Sequence, residues 1–217
     1  MATCSQCEGI EQQFGRKKAE KELRRFRRRG PIPSTRRLID DLRASGIANA
    51  SLLDIGGGVG AIHHALLDAG ATSAIHVDAS AEYIKVSRAE VANRHHDDRV
   101  RFIHADFVHA ASELPRADIV TLDRVICCYP DMEELTGSAA DKTGRLLGAV
   151  YPRDTWWVQI GVRWSNLLSR IRRSEFRAYV HSPAAIDGVL RQHGLDRIKR
   201  HRTIAWEIVI YARGNSR

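Results

Sequence analysis

The chain has 217 residues, 43% of them hydrophobic and 28% charged, which suits a globular domain with a buried core and excludes a disordered or fibrous chain. No apolar run approaches the ~18 residues of a membrane span, and four cysteines are too few for a disulfide scaffold. A net charge of +8 favours an anionic partner, whether nucleic acid, a lipid surface or an acidic small molecule, without choosing among them.

In chain order, the opening stretch MATCSQCEGIEQQF lacks the basic segment and apolar core of a secretory signal, so a cytoplasmic location is expected. Cys4-x-x-Cys7 is half of a zinc motif. Cys127 and Cys128 are adjacent and do not supply the other half at the usual spacing, so no metal site is expected. Residues 8–29 read as an amphipathic helix, with Ile10, Phe14, Ala19, Leu23 and Phe26 on one face and a dense lysine and arginine population on the others. That charged face is a solvated surface, a lid over a site, or a contact to anionic lipid or RNA. GPIPST breaks the helix, and Ser34 or Thr35 can cap a second one that ends at Gly46. Residues 1–47 therefore read as a helical cap and 48–217 as the main domain.

From Ser51 onward strands and helices alternate. SLLDI, SAIHVD, RVRFIHAD and ADIVTLDRVI read as the first four strands, with helices over 61–69 and 80–94 between them. DMEELTGSAADKTGRLLGAV, 131–150, reads as a helix. DTWWVQIGV, 154–162, reads as the fifth strand, and 163–180 as an inserted helix. The tail gives a helix opened by Ser182-Pro183 and then two strands, LDRIKRHR and TIAWEIVIYAR, close enough to form a hairpin. The order predicts an α/β fold with a parallel sheet covered on both faces and one antiparallel strand near the C-terminus.

The segment LLDIGGGVGAI concentrates the chemistry. Gly56, Gly57, Gly58 and Gly60 follow a strand and precede a helix, a place where bare main chain lets a ligand approach closely. The spacing is one residue short of a dinucleotide fingerprint and has no G-K-[ST] ending. Asp54 precedes the glycines, and a carboxylate beside the loop suits a cationic ligand better than a pyrophosphate.

With Asp78 at the end of the second strand and HADF after the third, this loop resembles the first motif of the class I S-adenosylmethionine (SAM)-dependent methyltransferases. The resemblance implies a Rossmann-like, doubly wound, mostly parallel seven-stranded sheet with an antiparallel C-terminal hairpin strand. It also implies SAM as cofactor and S-adenosylhomocysteine (SAH) as product. Asp54, Gly56, Gly57, Gly58 and Gly60 would receive the methionine part, and Asp78 with Ala79 would meet the ribose hydroxyls. Asp106 and Phe107 would hold the adenine, and Asp123 and Arg124 would face the methyl group. Within the family, LDRVICCYPD and the inserted helix are loosely similar to small-molecule methyltransferases of the magnesium-protoporphyrin type.

Methyl transfer from a sulfonium needs alignment and exclusion of water, and a base when the acceptor carries a proton. Tyr129, Asp123 and His63 are the candidate catalytic residues, with His64, His104 and His109 further candidates. Arg124 could bind a substrate carboxylate or wall the pocket. The expected acceptor is a small molecule, an anionic one being favoured by the net charge, with no obligatory nucleic acid, no transmembrane segment and at most weak membrane-surface contact. The alternatives are an RNA methyltransferase, or a thiol or metalloid methyltransferase using Cys127 and Cys128.

Overall fold

The computed structural model describes residues 9, 13–171 and 174–214; Cys4, Cys7 and Ile10 lie outside them. Seven strands form one sheet in the order β3-β2-β1-β4-β5-β7-β6. They are β1 (Ser51–Ile55), β2 (Ser73–Asp78), β3 (Val100–His104), β4 (Ala117–Asp123), β5 (Thr143–Pro152), β6 (Leu195–Arg202) and β7 (Trp206–Arg213). The first five pair in parallel, and β7 enters antiparallel between β5 and β6. Chain order reverses between β1 and β4, and in such sheets ligands bind beyond the carboxyl ends of the strands that flank the reversal.

Strand residues alternate between two cores because successive side chains point to opposite faces. Leu53, Ile55, Val120, Leu122 and Leu147 face one way. Leu52, Ile119, Leu146, Val150 and Ile210 face the other, against α2 (Pro33–Ala44) and α3 (Ala61–Asp68) through Leu38, Leu42 and Leu66. Gly148 permits α2 to lie close, since a Cβ there would stand 2.8 Å from the Leu38 Cδ1 atom.

The N-terminal helix α1 spans Arg16–Arg29. Gly15, extended at φ −70° and ψ 176°, keeps it from running back through Phe14, so it is shorter than the 8–29 expectation. Its Ala19, Leu23 and Phe26 recur at helical spacing and pack with Val59, Tyr83 and Val86 against α4 (Ala81–Asn93). Buried Glu90 of α4 accepts from Arg27 Nε at 2.7 Å and from Arg94 Nε at 2.8 Å. Glu90→Gln removes the charge from that tie, a loss of about 1 kcal/mol for a half-exposed pair. Tryptic cleavage within α1 should then quicken about fivefold, while the remainder of the chain stays resistant.

Three assignments differ from the sequence reading. Residues 131–150 divide into α6 (Met132–Lys142) and strand β5, the expected strand 154–162 instead opens a helix, α7 (Trp156–Ile171), and the expected inserted helix 163–180 is the end of that helix, with 174–182 irregular. Leu146, Leu147, Ala149 and Val150 are all buried because β5 sits between β4 and β7 and is covered on both faces. A run buried on both sides shows no period of two. In α7 the apolar residues Trp157, Ile160, Trp164, Leu167 and Ile171 follow a spacing of three to four that outweighs their β propensity. The helix α2 begins at Pro33 with Ile32 as its N-cap, so neither Ser34 nor Thr35 caps it. The helix α8 (Pro183–Gln192) starts after Ser182 as expected.

Candidate active site

The loop after β1 turns on positive φ at Gly56, Gly58 and Gly60, at 61°, 56° and 83°. Gly56 N donates to Val77 O at 2.7 Å and Gly60 N to Gly57 O at 2.9 Å, which fixes the turn between β1 and β2. Beyond it opens a cavity of about 330 Å³. Gly56, Gly58, Asp78, Ala79, Asp106, Phe107, Asp123, Arg124 and Tyr129 all line it, brought together from the ends of four strands.

Asp78 is buried, and burial pushes its pKa up to about 6 although main-chain N–H groups hold it back. Gly58 N donates to its Oδ2 at 3.0 Å and Ser80 N to its Oδ1 at 2.9 Å. Each carboxylate oxygen keeps a second acceptor position. Asp106 caps the short helix α5 (Phe107–Ala110), accepting from Val108 N at 2.9 Å. The Tyr129 hydroxyl also donates to its Oδ1. That tie joins the loop after β4 to the loop after β3 and occupies the tyrosine's proton, a pairing no sequence signal announces.

At the carboxyl end of β4, Asp123 is partly buried and accepts from Thr35 Oγ1 at 2.5 Å. Burial raises its pKa, against the pull of Arg124 and Thr35. Arg124 has φ 62°, in the left-handed region that a side chain normally avoids, and its N–H donates to Val150 O at 2.8 Å. A non-glycine residue held there costs on the order of 1 kcal/mol or more and marks a position fixed by its surroundings. Burial acts to lower the Arg124 pKa, but Asp123 and Glu22 raise it above its usual value.

Four of the expected residues do not reach the cavity. Gly57 and Gly60 belong to the loop but not to the cavity wall, and Asp54 and His63 lie beneath the loop. Asp54 Oδ1 accepts from Thr121 Oγ1 at 2.7 Å, and its Oδ2 stands 3.4 Å from His63 Nδ1. His63 is fully buried, which removes it from contact with any ligand in the cavity. His76 Nδ1 is 3.3 Å from His63 Nδ1, and burial together with His63 pushes the His76 pKa down to about 3. Asp54, His63 and His76 bring donor atoms within 4.8 Å of one another, a set that suits a divalent ion by type. Yet neither Nε2 has an acceptor among the described residues, whereas metal-bound imidazoles normally donate that proton. The trio forms a buried polar network under the loop. His64, also buried, faces His96 at 3.1 Å, while His104 and His109 lie at the exposed edge.

The sequence reading missed several wall residues. Phe14, Lys18 and Glu22 reach the cavity from the N-terminal segment, Tyr83 from α4 and Phe176 from the segment after α7. Phe176 stands 5.6 Å edge-on to Phe14, which is 5.9 Å from Tyr83. Only the apolar spacing of α1 hinted at such a roof. Cys127 and Cys128 also line the wall, with Sγ atoms 3.9 Å apart and unbridged. The contact between the two thiols raises the Cys127 pKa and lowers that of Cys128.

Residues 52–145 match the methyltransferase-domain family. The chain carries a class I SAM-dependent methyltransferase domain. Magnesium protoporphyrin IX methyltransferase from Synechocystis PCC 6803, with bound SAM, superposes on this methyltransferase with a TM-score of 0.71. The two are 17% identical over 99% of this chain and 100% of that one. An O-methyltransferase family protein from Burkholderia thailandensis gives 0.72 at 17% identity, over 96% of this chain and 64% of that one. A chain from Pyrococcus horikoshii, provisionally described as an RNA methyltransferase, gives 0.63 at 18% identity, over 87% and 86%. At these identities the likeness is one of fold. No curated protein sequence matches the methyltransferase.

The cavity fits the cofactor. Bare main chain at Gly56 and Gly58, a buried carboxylate with spare acceptor positions at Asp78, and Asp106 beside the Phe107 ring form a graded polar and apolar cradle. SAM supplies an electrophilic methyl group on a sulfonium sulfur.

Proposed function

We propose that this methyltransferase acts on a small-molecule acceptor, with residues 1–47 and the segment around Phe176 serving as a cover over the site. The observation that carries this reading is the roof. Two segments distant in sequence meet above the cavity at Phe14 and Phe176. Gly9 lies so close to the second that a Cβ there would stand 2.6 Å from Phe176 N. A covered chamber excludes water from the reacting atoms and admits a compact acceptor more readily than a polymer strand.

In this reading Gly56 and Gly58 receive the methionine part of the cofactor, Asp78 and Ala79 the ribose, and Asp106 and Phe107 the adenine. Asp123 is the base for a protonated acceptor: burial makes its carboxylate more basic, and Thr35 orients it. Arg124 faces an anionic group of the acceptor. Tyr129 acts through Asp106 as a positioning residue, and Asp54 and His63 support the loop from below.

The test is turnover to SAH with small carboxylate-bearing acceptors and with RNA. Arg124→Gln should raise the KM of an anionic acceptor about tenfold, the worth of one charge-assisted hydrogen bond, and leave SAM affinity unchanged. Salt-sensitive turnover on RNA alone would overturn the reading. A second reading, a soft thiol or metalloid acceptor, draws on the lowered pKa of Cys128 at the cavity wall. It requires that Cys127→Ser and Cys128→Ser abolish turnover while SAM still binds.

A further inference from the structure

The helix α7 is built inside out. In α1 the apolar side chains face the protein and the arginines face water. In α7 the apolar side chains face outward as well: none of its residues is buried. Trp156, Trp157, Ile160, Trp164, Leu167, Leu168 and Ile171 recur at helical spacing and are all exposed, Trp156 and Ile171 at 70% and Trp164 at 62%. Its half-buried side, Val158, Gln159, Val162, Asn166 and Ser169, meets the protein and is clipped there by Asn166. Asn166 Nδ2 donates to Ala178 O at 2.8 Å, and Ala178 N donates back to Asn166 Oδ1 at 2.8 Å. The strip around Ala178 is itself fastened to the active-site wall, with Tyr179 N donating to Cys127 O at 2.8 Å and His181 Nε2 within 2.9 Å of Tyr129 O.

We propose that α7 docks the enzyme flat on an anionic lipid surface. Charge selects this occupant. The sixteen residues Trp156–Ile171 contain no aspartate or glutamate, and they carry Arg163 and Arg170 beside the apolar stripe. Arg153 stands just before the helix, 5.8 Å from the Trp157 ring centre. Tryptophan and arginine on one short helix are the composition of the lipid–water interface, where rings sit among headgroups and guanidinium groups meet phosphate. At ~1.5 Å per residue the helix is about 24 Å long, short of a ~30 Å hydrocarbon core. No described helix is long and apolar enough to cross a membrane, so α7 lies in the interface plane. A second copy of the chain fits less well, because two α7 faces brought together would oppose arginine to arginine. The docked face adjoins the segment that carries Phe176 over the cavity, so an amphiphilic acceptor would reach the site from the lipid side. The docking itself holds whatever the acceptor is.

The test is cosedimentation of the full chain with vesicles of phosphatidylglycerol mixed with phosphatidylcholine, against phosphatidylcholine alone. The wild type should partition onto the anionic vesicles, with its tryptophan emission shifted to the blue. Trp156→Ser with Trp164→Ser should weaken partitioning at least tenfold, on the order of two interfacial side chains withdrawn. Arg163→Glu with Arg170→Glu should weaken it at low salt. SAM affinity by calorimetry should be unchanged in both variants, which separates lost docking from lost folding. The proposal is overturned if the wild type ignores anionic vesicles. It is also overturned if Arg24→Glu with Arg28→Glu on α1 abolishes partitioning while the α7 variants retain it, or if light scattering shows a dimer that the tryptophan substitutions dissolve.

Discussion

Replacing Asp78 with asparagine should weaken SAM binding about 100-fold. Both carboxylate oxygens already accept main-chain N–H groups, from Gly58 and Ser80, and each has one acceptor position left for the hydroxyl it is proposed to receive. An amide offers only one such oxygen, turns a donor toward the other partner, and carries no charge. Two charge-assisted hydrogen bonds weakened by roughly 1.5 kcal/mol each amount to about 3 kcal/mol, which corresponds to the stated factor. The same residue predicts a pH dependence. Burial lifts its pKa to about 6, and the ionised form is the one that accepts two hydroxyl protons. Affinity is therefore complete well above pH 6 and is lost as pH falls through it. At pH 5 the apparent Kd should be about tenfold weaker than at pH 7.5, a tenfold change per unit below the pKa. Calorimetry across that range checks both statements, and in Asp78→Asn the pH dependence should flatten. An unaltered Kd in the variant would remove Asp78 from the cofactor site.

Gly60→Ala should lower the melting temperature by about 5–15 °C, at 2–4 °C per kcal/mol for a chain of this size. The residue sits at φ 83°, and a Cβ there would meet His63 Cε1 at 2.4 Å, His63 Nε2 at 2.5 Å and Ser87 Oγ at 2.9 Å. The left-handed backbone costs a side chain about 1 kcal/mol, and forcing an atom into a filled interior adds about 1–3 kcal/mol. Gly58 provides the control. It has φ 56°, but the nearest atom to an added Cβ is 3.6 Å away on Tyr83. Gly58→Ala should therefore show the backbone cost alone, a fall of about 2–4 °C. Scanning calorimetry distinguishes the two, and His63→Ala combined with Gly60→Ala should be more stable than the sum of the single changes predicts. Equal effects at both glycines would mean that His63 does not underlie the loop.

The part of the site built by local chain chemistry was legible. Glycines after an apolar strand, and acids at the ends of the second, third and fourth strands, are set by the turn each strand must make into its helix. Asp78, Asp106 and Asp123 accordingly fall where their strand ends placed them. The residues that close the cavity were less legible. Phe14 and Phe176 are more than 150 positions apart, and nothing in either neighbourhood signals the other. Tyr129 shows the same limit: its place after the fourth strand, on the cavity wall, was readable, but its hydroxyl is committed to Asp106 by a contact between two loops.

By itself the sequence determined the alternation of strand and helix and the bare turn after β1, because these follow from periodicity and backbone freedom within a few residues; the cofactor came from the resemblance of that turn and the acids after it to a known methyltransferase motif. Tertiary structure decided three other things. It made 143–152 a strand, since that run is covered on both faces and so has no period of its own. It turned Asp54 and His63 beneath the loop, since side chains of one strand and the following helix share the interior below the turn. It set α7 with its tryptophans outward, since an amphipathic pattern fixes which residues share a face but not whether that face meets the core or the surroundings.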